Sequence, residues 1–134
     1  FVSSLLRKLV FMKKPATILV VDDDKIHREI EGYCLEHHGY TVLSAASGAE
    51  ALTLLEQHSI DLVISDFNMP GMKGNELAKR IQVLYPTLPV IILSSDKYLA
   101  DYVHALKISF MEKPINTEKF LHLIELSLTA HHRS

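Results

Sequence analysis

Ile18-Leu19-Val20-Val21-Asp22-Asp23-Asp24 sets four apolar residues directly against three carboxylates. An unbroken apolar run suits a strand buried on both faces of a parallel sheet, where neither face needs polar residues. Leu62-Val63-Ile64 and Val90-Ile91-Ile92-Leu93 repeat the pattern, with Ser65-Asp66 and Ser94-Ser95 at their ends. Weaker strand signals cover Thr41 to Ala45 and Ile108 to Met111. The segments between have helical period. Ile26, Ile30 and Cys34, four apart, predict an inward stripe that Gly39 ends. Ser47-Gly48-Ala49-Glu50 reads as a capping box opening a second helix with Leu52 and Leu55 inward. Leu77, Ala78, Ile81 and Leu84 make a third stripe, closed by Pro86, and Asp96 to Leu106 a fourth helix. Phe120, Leu121, Ile124 and Leu128 make a fifth behind the cap candidate Thr117. Five β-α units in about 115 residues predict a doubly wound α/β domain with helices on both faces.

Composition agrees with one ordinary domain. The 134 residues carry 14 Lys+Arg and 16 Asp+Glu, a net charge of −2, with 48% hydrophobic and 22% charged residues. That balance is globular, and it gives no general drive toward nucleic acid. The single cysteine, Cys34, excludes an internal disulfide and a cysteine-based metal cluster, and reads as a small core residue. No apolar run approaches the roughly 18 residues of a membrane span, so the expected compartment is the cytoplasm. Residues 1–14 read as a leader or the end of an upstream segment, since Met12 resembles an initiator and Leu5, Leu6, Leu9 and Val10 have helical spacing. The domain is placed over residues 15–129, with a polar tail at 130–134.

In such folds ligands bind beyond the carboxyl ends of the strands, where strand order reverses. The residues closing the strands are therefore the candidates. Asp22, Asp23 and Asp24 follow the first, Asp66 ends the third, Ser94 and Ser95 the fourth, and Lys113-Pro114 follows the fifth. One aspartate there would suit a helix N-terminus. Converging carboxylates fit that explanation poorly, because two of them about 4 Å apart repel by about 4 kcal/mol at an effective dielectric of 20. A hard divalent cation such as Mg²⁺ relieves that repulsion, using few carboxylates and keeping sites for water and phosphate oxygens. With the Lys113 ammonium and the Ser94 hydroxyl, the set makes a receptacle for a phosphoryl group, and a carboxylate can itself be the nucleophile. The eight histidines are scattered, and His37-His38 near a helix end read as partners of the dipole.

From about Thr17 to Leu128 the chain resembles the receiver domain of two-component response regulators. Ile18 to Asp24 is similar to that family's acidic strand. Asp61-Leu62-Val63-Ile64-Ser65-Asp66-Phe67-Asn68-Met69-Pro70-Gly71-Met72-Lys73-Gly74 is similar to its phosphoacceptor strand and loop. The resemblance implies a flavodoxin-like five-stranded parallel sheet of order 2-1-3-4-5. It implies Asp66 as phosphoacceptor and Mg²⁺ held by Asp22, Asp23, Asp66 and the Asn68 backbone carbonyl. By the same resemblance Ser94 and Lys113 contact the phosphoryl group, Ser94 and Phe110 switch, Asn68 and Asp96 tune its lifetime, and the Lys113-Pro114 peptide is cis. The implied donor is a histidine kinase or histidine phosphotransfer domain. The implied output is a protein target or dimer partner at the fourth helix, fifth strand and fifth helix, where Tyr98, Leu99, Tyr102 and Val103 lie, at least two of them in core roles.

Two departures fall on that output region. The segment from Ser94 to Lys113 is nearly one helical turn shorter than is usual in the family, and Lys107-Ile108-Ser109 replaces the usual small-residue turn. Phe110 also lacks the hydroxyl of the commoner tyrosine. The main rival is a small Mg²⁺-dependent phosphatase of haloacid-dehalogenase type with Asp22 and Asp24 as nucleophile and acid. A flavin or nucleotide module would need a phosphate loop where the three acids stand. A degenerate interaction domain would not need the complete site.

Overall fold

The computed structural model describes residues 15–133. Residues 1–14, read from the sequence as a leader or the end of an upstream segment with helical spacing, and Ser134 lie outside the described residues. Strands β1 (Thr17–Val21), β2 (Thr41–Ala45), β3 (Leu62–Asp66), β4 (Val90–Ser94) and β5 (Ser109–Glu112) form one parallel sheet of order β2-β1-β3-β4-β5. Helices α1 (Lys25–His37), α2 (Gly48–Gln57), α3 (Gly74–Leu84), α4 (Ala100–Ala105) and α5 (Thr117–Arg133) connect and follow the strands. Strand alternation explains why the apolar runs are unbroken. Ile18 and Val20 enter the core shared with Leu35 of α1 and Phe120, Ile124 and Leu128 of α5. Leu19 and Val21 enter the opposite core with Ala51 and Leu55 of α2 and Leu77, Ala78 and Ile81 of α3. Both sheet faces are covered, as a parallel sheet requires.

The local stop signals act as written. Gly39 takes φ +93°, and the Tyr40 N–H reaches back to the Leu35 carbonyl, closing α1. Ser47 accepts from the Glu50 N–H at 3.1 Å, while Glu50 reaches back to the Ala46 N–H rather than to the cap residue itself. The last helix differs. Its first turn is capped by Asn116, whose Oδ1 accepts from the Lys119 N–H at 3.0 Å, and Thr117 is already helical. It runs on to Arg133, into the stretch read as a polar tail.

Three stripes need correction. In α1, Ile26 and Ile30 face solvent at 67% and 62% exposure, and Cys34 is only half-buried. The inward positions are Arg28, Glu31, Gly32 and Leu35. Asp24 sets the helix phase as cap, and the Arg28 guanidinium donates to the Asp22 carbonyl at 2.7 Å. Gly32 brings the helix against Val42, whose Cγ1 would stand 3.5 Å from an added Cβ. In α3, Leu84 is exposed beyond the last inward residue, Ile81. The expected fourth helix from Asp96 to Leu106 is a 3₁₀ turn, Lys97–Leu99, followed by the six residues of α4.

Candidate functional site

Register brings the strand ends level. Val21 pairs with Ala45 on one side and Ser65 on the other, Asp66 with Leu93, and Ser94 with Glu112. The chain leaves β1 toward β2 and returns to β3 on β1's other side, so the residues following β1 and ending β3 meet at the switch point. Asp22 is the first residue beyond β1, and its N–H still donates to the Ala45 carbonyl. It is 1% exposed. Carboxylate oxygens of Asp22, Asp23 and Asp66 all lie within 4.8 Å of one another. Asp22 Oδ1 accepts from the Asp24 N–H, whereas its buried Oδ2 has no hydrogen-bond partner among the described residues. Burial pushes the Asp22 carboxyl above its ordinary value; the Asp24 N–H pulls it back and the Asp66 charge adds to the rise.

From β5 the chain passes Lys113 across this cluster. The Lys113 Nζ donates to Asp66 Oδ1 at 2.8 Å, and the Lys113-Pro114 peptide is cis. Burial alone would lower Lys113, but the Asp66 hydrogen bond and the charges of Asp66, Asp22 and Glu31 outweigh it and hold the ammonium above its ordinary value. The Lys113 N–H is anchored on the Ser94 carbonyl at 2.8 Å. Buried Ser94 accepts through Oγ from the Asp96 N–H, and Asp96 in turn caps the 3₁₀ turn through the Tyr98 N–H. Asn68 is exposed in the loop after β3. The loop folds back tightly, since the Gly74 N–H donates to the Phe67 carbonyl and a Cβ on Gly74 would collide with the Asp66 carbonyl oxygen. Phe110 is half-buried further along β5, with its ring edge-on to His104 and bordering a surface cavity of about 480 Å³. Phe110 pairs with Ile92, two residues before the Ser94–Glu112 pair at the strand ends.

The donor set fits Mg²⁺. It is all oxygen, it carries excess negative charge, and it includes a buried carboxylate oxygen that no group among the described residues satisfies. The phosphatase alternative fits badly. Asp24 Oδ1 is engaged as N-cap by the Ile26 and His27 N–H groups, and it is Asp66 that joins Asp22 and Asp23. Sequence reasoning missed Glu31, Arg28 and Gly74. Gly74 was legible as the close of the loop motif; the other two depend on the phase of α1. Of the expected output residues, Val103 is buried and Leu99 packs on the core, while Tyr98 and Tyr102 are exposed and the Tyr102 hydroxyl accepts from the Asn75 amide.

Comparison with known proteins agrees with this geometry. The profile of the response regulator receiver domain family matches residues 18–125. The chain is 40% identical over 118 residues to the transcriptional regulatory protein GlrR of Escherichia coli, covering 86% of this chain and 27% of that protein. It thus spans about a quarter of that relative's length. Its structure resembles the Vibrio cholerae chemotaxis protein CheY4 with a TM-score of 0.78 at 30% identity, covering 85% of this chain and 99% of the other. It also resembles the response regulator protein TrrA of Thermotoga maritima, solved in complex with Mg(2+)-BeF, with a TM-score of 0.79 at 28% identity, covering 84% and 98%. The haloacid-dehalogenase reading has no support among these relatives. The chain belongs to the response regulator receiver domains, the phosphoryl-accepting signalling switches of two-component systems.

Proposed function

We propose that Asp66 is the phosphoacceptor and that Asp22, Asp23, Asp66 and the Asn68 carbonyl hold Mg²⁺. The observation that carries this reading is Lys113 paired to Asp66 at 2.8 Å inside a three-carboxylate cluster. Mg²⁺, when bound, supplies the positive charge that lets carboxylates and phosphoryl oxygens share the site. An Asp66 carboxylate oxygen attacks the phosphorus of a donor phosphohistidine. The new O–P bond forms as the N–P bond breaks, and the electron pair leaves on the imidazole nitrogen. Lys113 balances charge on the phosphoryl oxygens. The Ser94 hydroxyl, which accepts from Asp96, keeps its proton for one of those oxygens. Movement of Ser94 frees space for Phe110 to turn inward, and the surface of α4, β5 and α5 changes: a two-state element biased by new phosphate contacts. Asn68 and Asp96 flank the site and tune the lifetime of the phosphoryl group.

The donor is a histidine kinase or phosphotransfer domain. Its docking surface on this chain is the outward face of α1, where Ile26, Ile30 and Tyr33 stand exposed at helical spacing beside the cluster. The output partner binds the face carrying Tyr98 and Tyr102. The receiver spans residues 15–129, with α5 carrying the polar tail on to Arg133, and residues 1–14 are a leader or the end of an upstream segment. The compartment we assign is the cytoplasm; among the described residues no helix is long and apolar enough to cross a membrane. The test is intact mass after incubation with acetyl phosphate. A Mg²⁺-dependent gain of one phosphoryl group, absent in Asp66→Asn, is expected. No adduct under acid quench overturns the reading.

A further inference from the structure

Glu31 stands on the inward stripe of α1, one turn before buried Leu35, and the phosphoryl chemistry does not use it. It borders a groove of about 370 Å³ whose walls include Ile30, Pro114 and Ile115, and which also reaches Ser95 and Lys113. Through Lys113 the groove adjoins the phosphoacceptor. Among the described residues the Glu31 carboxylate makes no ion pair and no hydrogen bond. It is close enough that its charge acts on Lys113, Asp22 and Asp66. A leucine would fill the same half-buried place without stranding a charge there. The half-buried carboxylate instead adds negative potential beside a site that must admit phosphoryl oxygens, and its burial leaves it only partly screened by salt.

We propose that Glu31 is an electrostatic filter on the phosphoryl site: its charge strengthens cation binding at Asp22, Asp23 and Asp66 and slows small anionic donors. The inference rests on the phosphoryl-switch reading and adds to it a residue that sets donor selectivity. A protein donor offsets the repulsion with its own contact surface, and a free acyl phosphate cannot. Charge acting this way has a signature that packing does not: the two effects have opposite sign.

The experiment compares parent, Glu31→Gln and Glu31→Leu at about pH 8, where the carboxylate is ionised. It reads Mg²⁺ affinity by calorimetry and, at saturating Mg²⁺, the rate of phosphoryl uptake from acetyl phosphate by intact mass. Both variants are expected to bind Mg²⁺ about two- to fivefold more weakly yet take up phosphoryl about two- to fivefold faster, and raising salt toward about 1 M shrinks both differences. Unchanged values, changes of the same sign, or Gln and Leu moving in opposite directions overturn the filter. If the parent itself takes up no phosphoryl group, the Asp66 reading fails, and the Mg²⁺ affinities alone decide the role of Glu31: equal affinities overturn it, weaker binding by both variants upholds its effect on the cation.

Discussion

The Asp22 carboxylate concentrates the demands on this site: its Oδ2 is buried and unpartnered among the described residues, and the group clusters with the carboxylates of Asp23 and Asp66. Removing its charge should relieve the fold. In chelator, Asp22→Asn is expected to melt higher than the parent, by about 1 kcal/mol in stability, because the Asp24 N–H keeps its acceptor while the repulsion with Asp66 is gone. Added Mg²⁺ should then stabilise the parent and leave the variant nearly unmoved, and a less stable variant in chelator contradicts the account. Glu31 makes a second prediction through pH. Its folded pKa is pushed up to about 7 from 4.5, chiefly by burial and next by the charge of Asp22. Between those values the folded chain holds a proton that the unfolded chain has released, so stability falls as pH rises through that window and stays lowered above it. The loss is of order 1–3 kcal/mol. Chemical denaturation in chelator from about pH 5 to about pH 8 should show Glu31→Leu gaining on the parent as pH rises, whereas parallel curves would show that Glu31 ionises normally.

At the scale of elements, α1 shows what apolar spacing does and does not decide. Ile26, Ile30 and Cys34 repeat every four residues, and so do Glu31 and Leu35. The second set faces in because backbone and polar ties choose the phase: the Asp24 cap, Arg28 on the Asp22 carbonyl, and Gly32 against Val42. Those ties are polar and backbone contacts, which the spacing of apolar residues does not register. The double change Ile26→Ser with Ile30→Ser is therefore expected to alter stability by no more than about 0.5 kcal/mol per site while slowing transfer from a phosphohistidine donor; core residues at those positions would cost several times more. The turn into β5 is strained. Lys107 holds φ 62°, a left-handed conformation that glycine adopts without penalty. Lys107→Gly should raise stability by about 0.5–1 kcal/mol in denaturant titrations, and a lower midpoint would show that the Lys107 side chain contributes more than the strain removes.

Over the whole molecule, the strands and their shared edge were legible because double burial writes itself as unbroken apolar runs and because each run ends in a polar residue. Order 2-1-3-4-5 was not in those runs; it came with the family resemblance, and the sheet has it. The cluster itself was legible as a set of types, Asp22, Asp23, Asp66 and Lys113, since like charges do not converge without a counter-charge. Which of the three successive aspartates turns away came with the family resemblance and not from the residue types: Asp24 leaves the cluster to cap α1, a choice made by helix geometry. The same topology puts the proposed phosphoryl site and the proposed output face on neighbouring strand ends, so that in this proposal Ser94 and Phe110 link them along β4 and β5. That linkage has meaning only if the phosphoryl group lands on Asp66. The direct measurement is to phosphorylate the chain with acetyl phosphate and Mg²⁺, reduce the acyl phosphate with borohydride, and map the resulting homoserine by peptide mass spectrometry. The account predicts a single reduced position, Asp66. Homoserine at Asp22 or Asp24, or a borohydride-resistant phosphoryl group on another residue type, would contradict it.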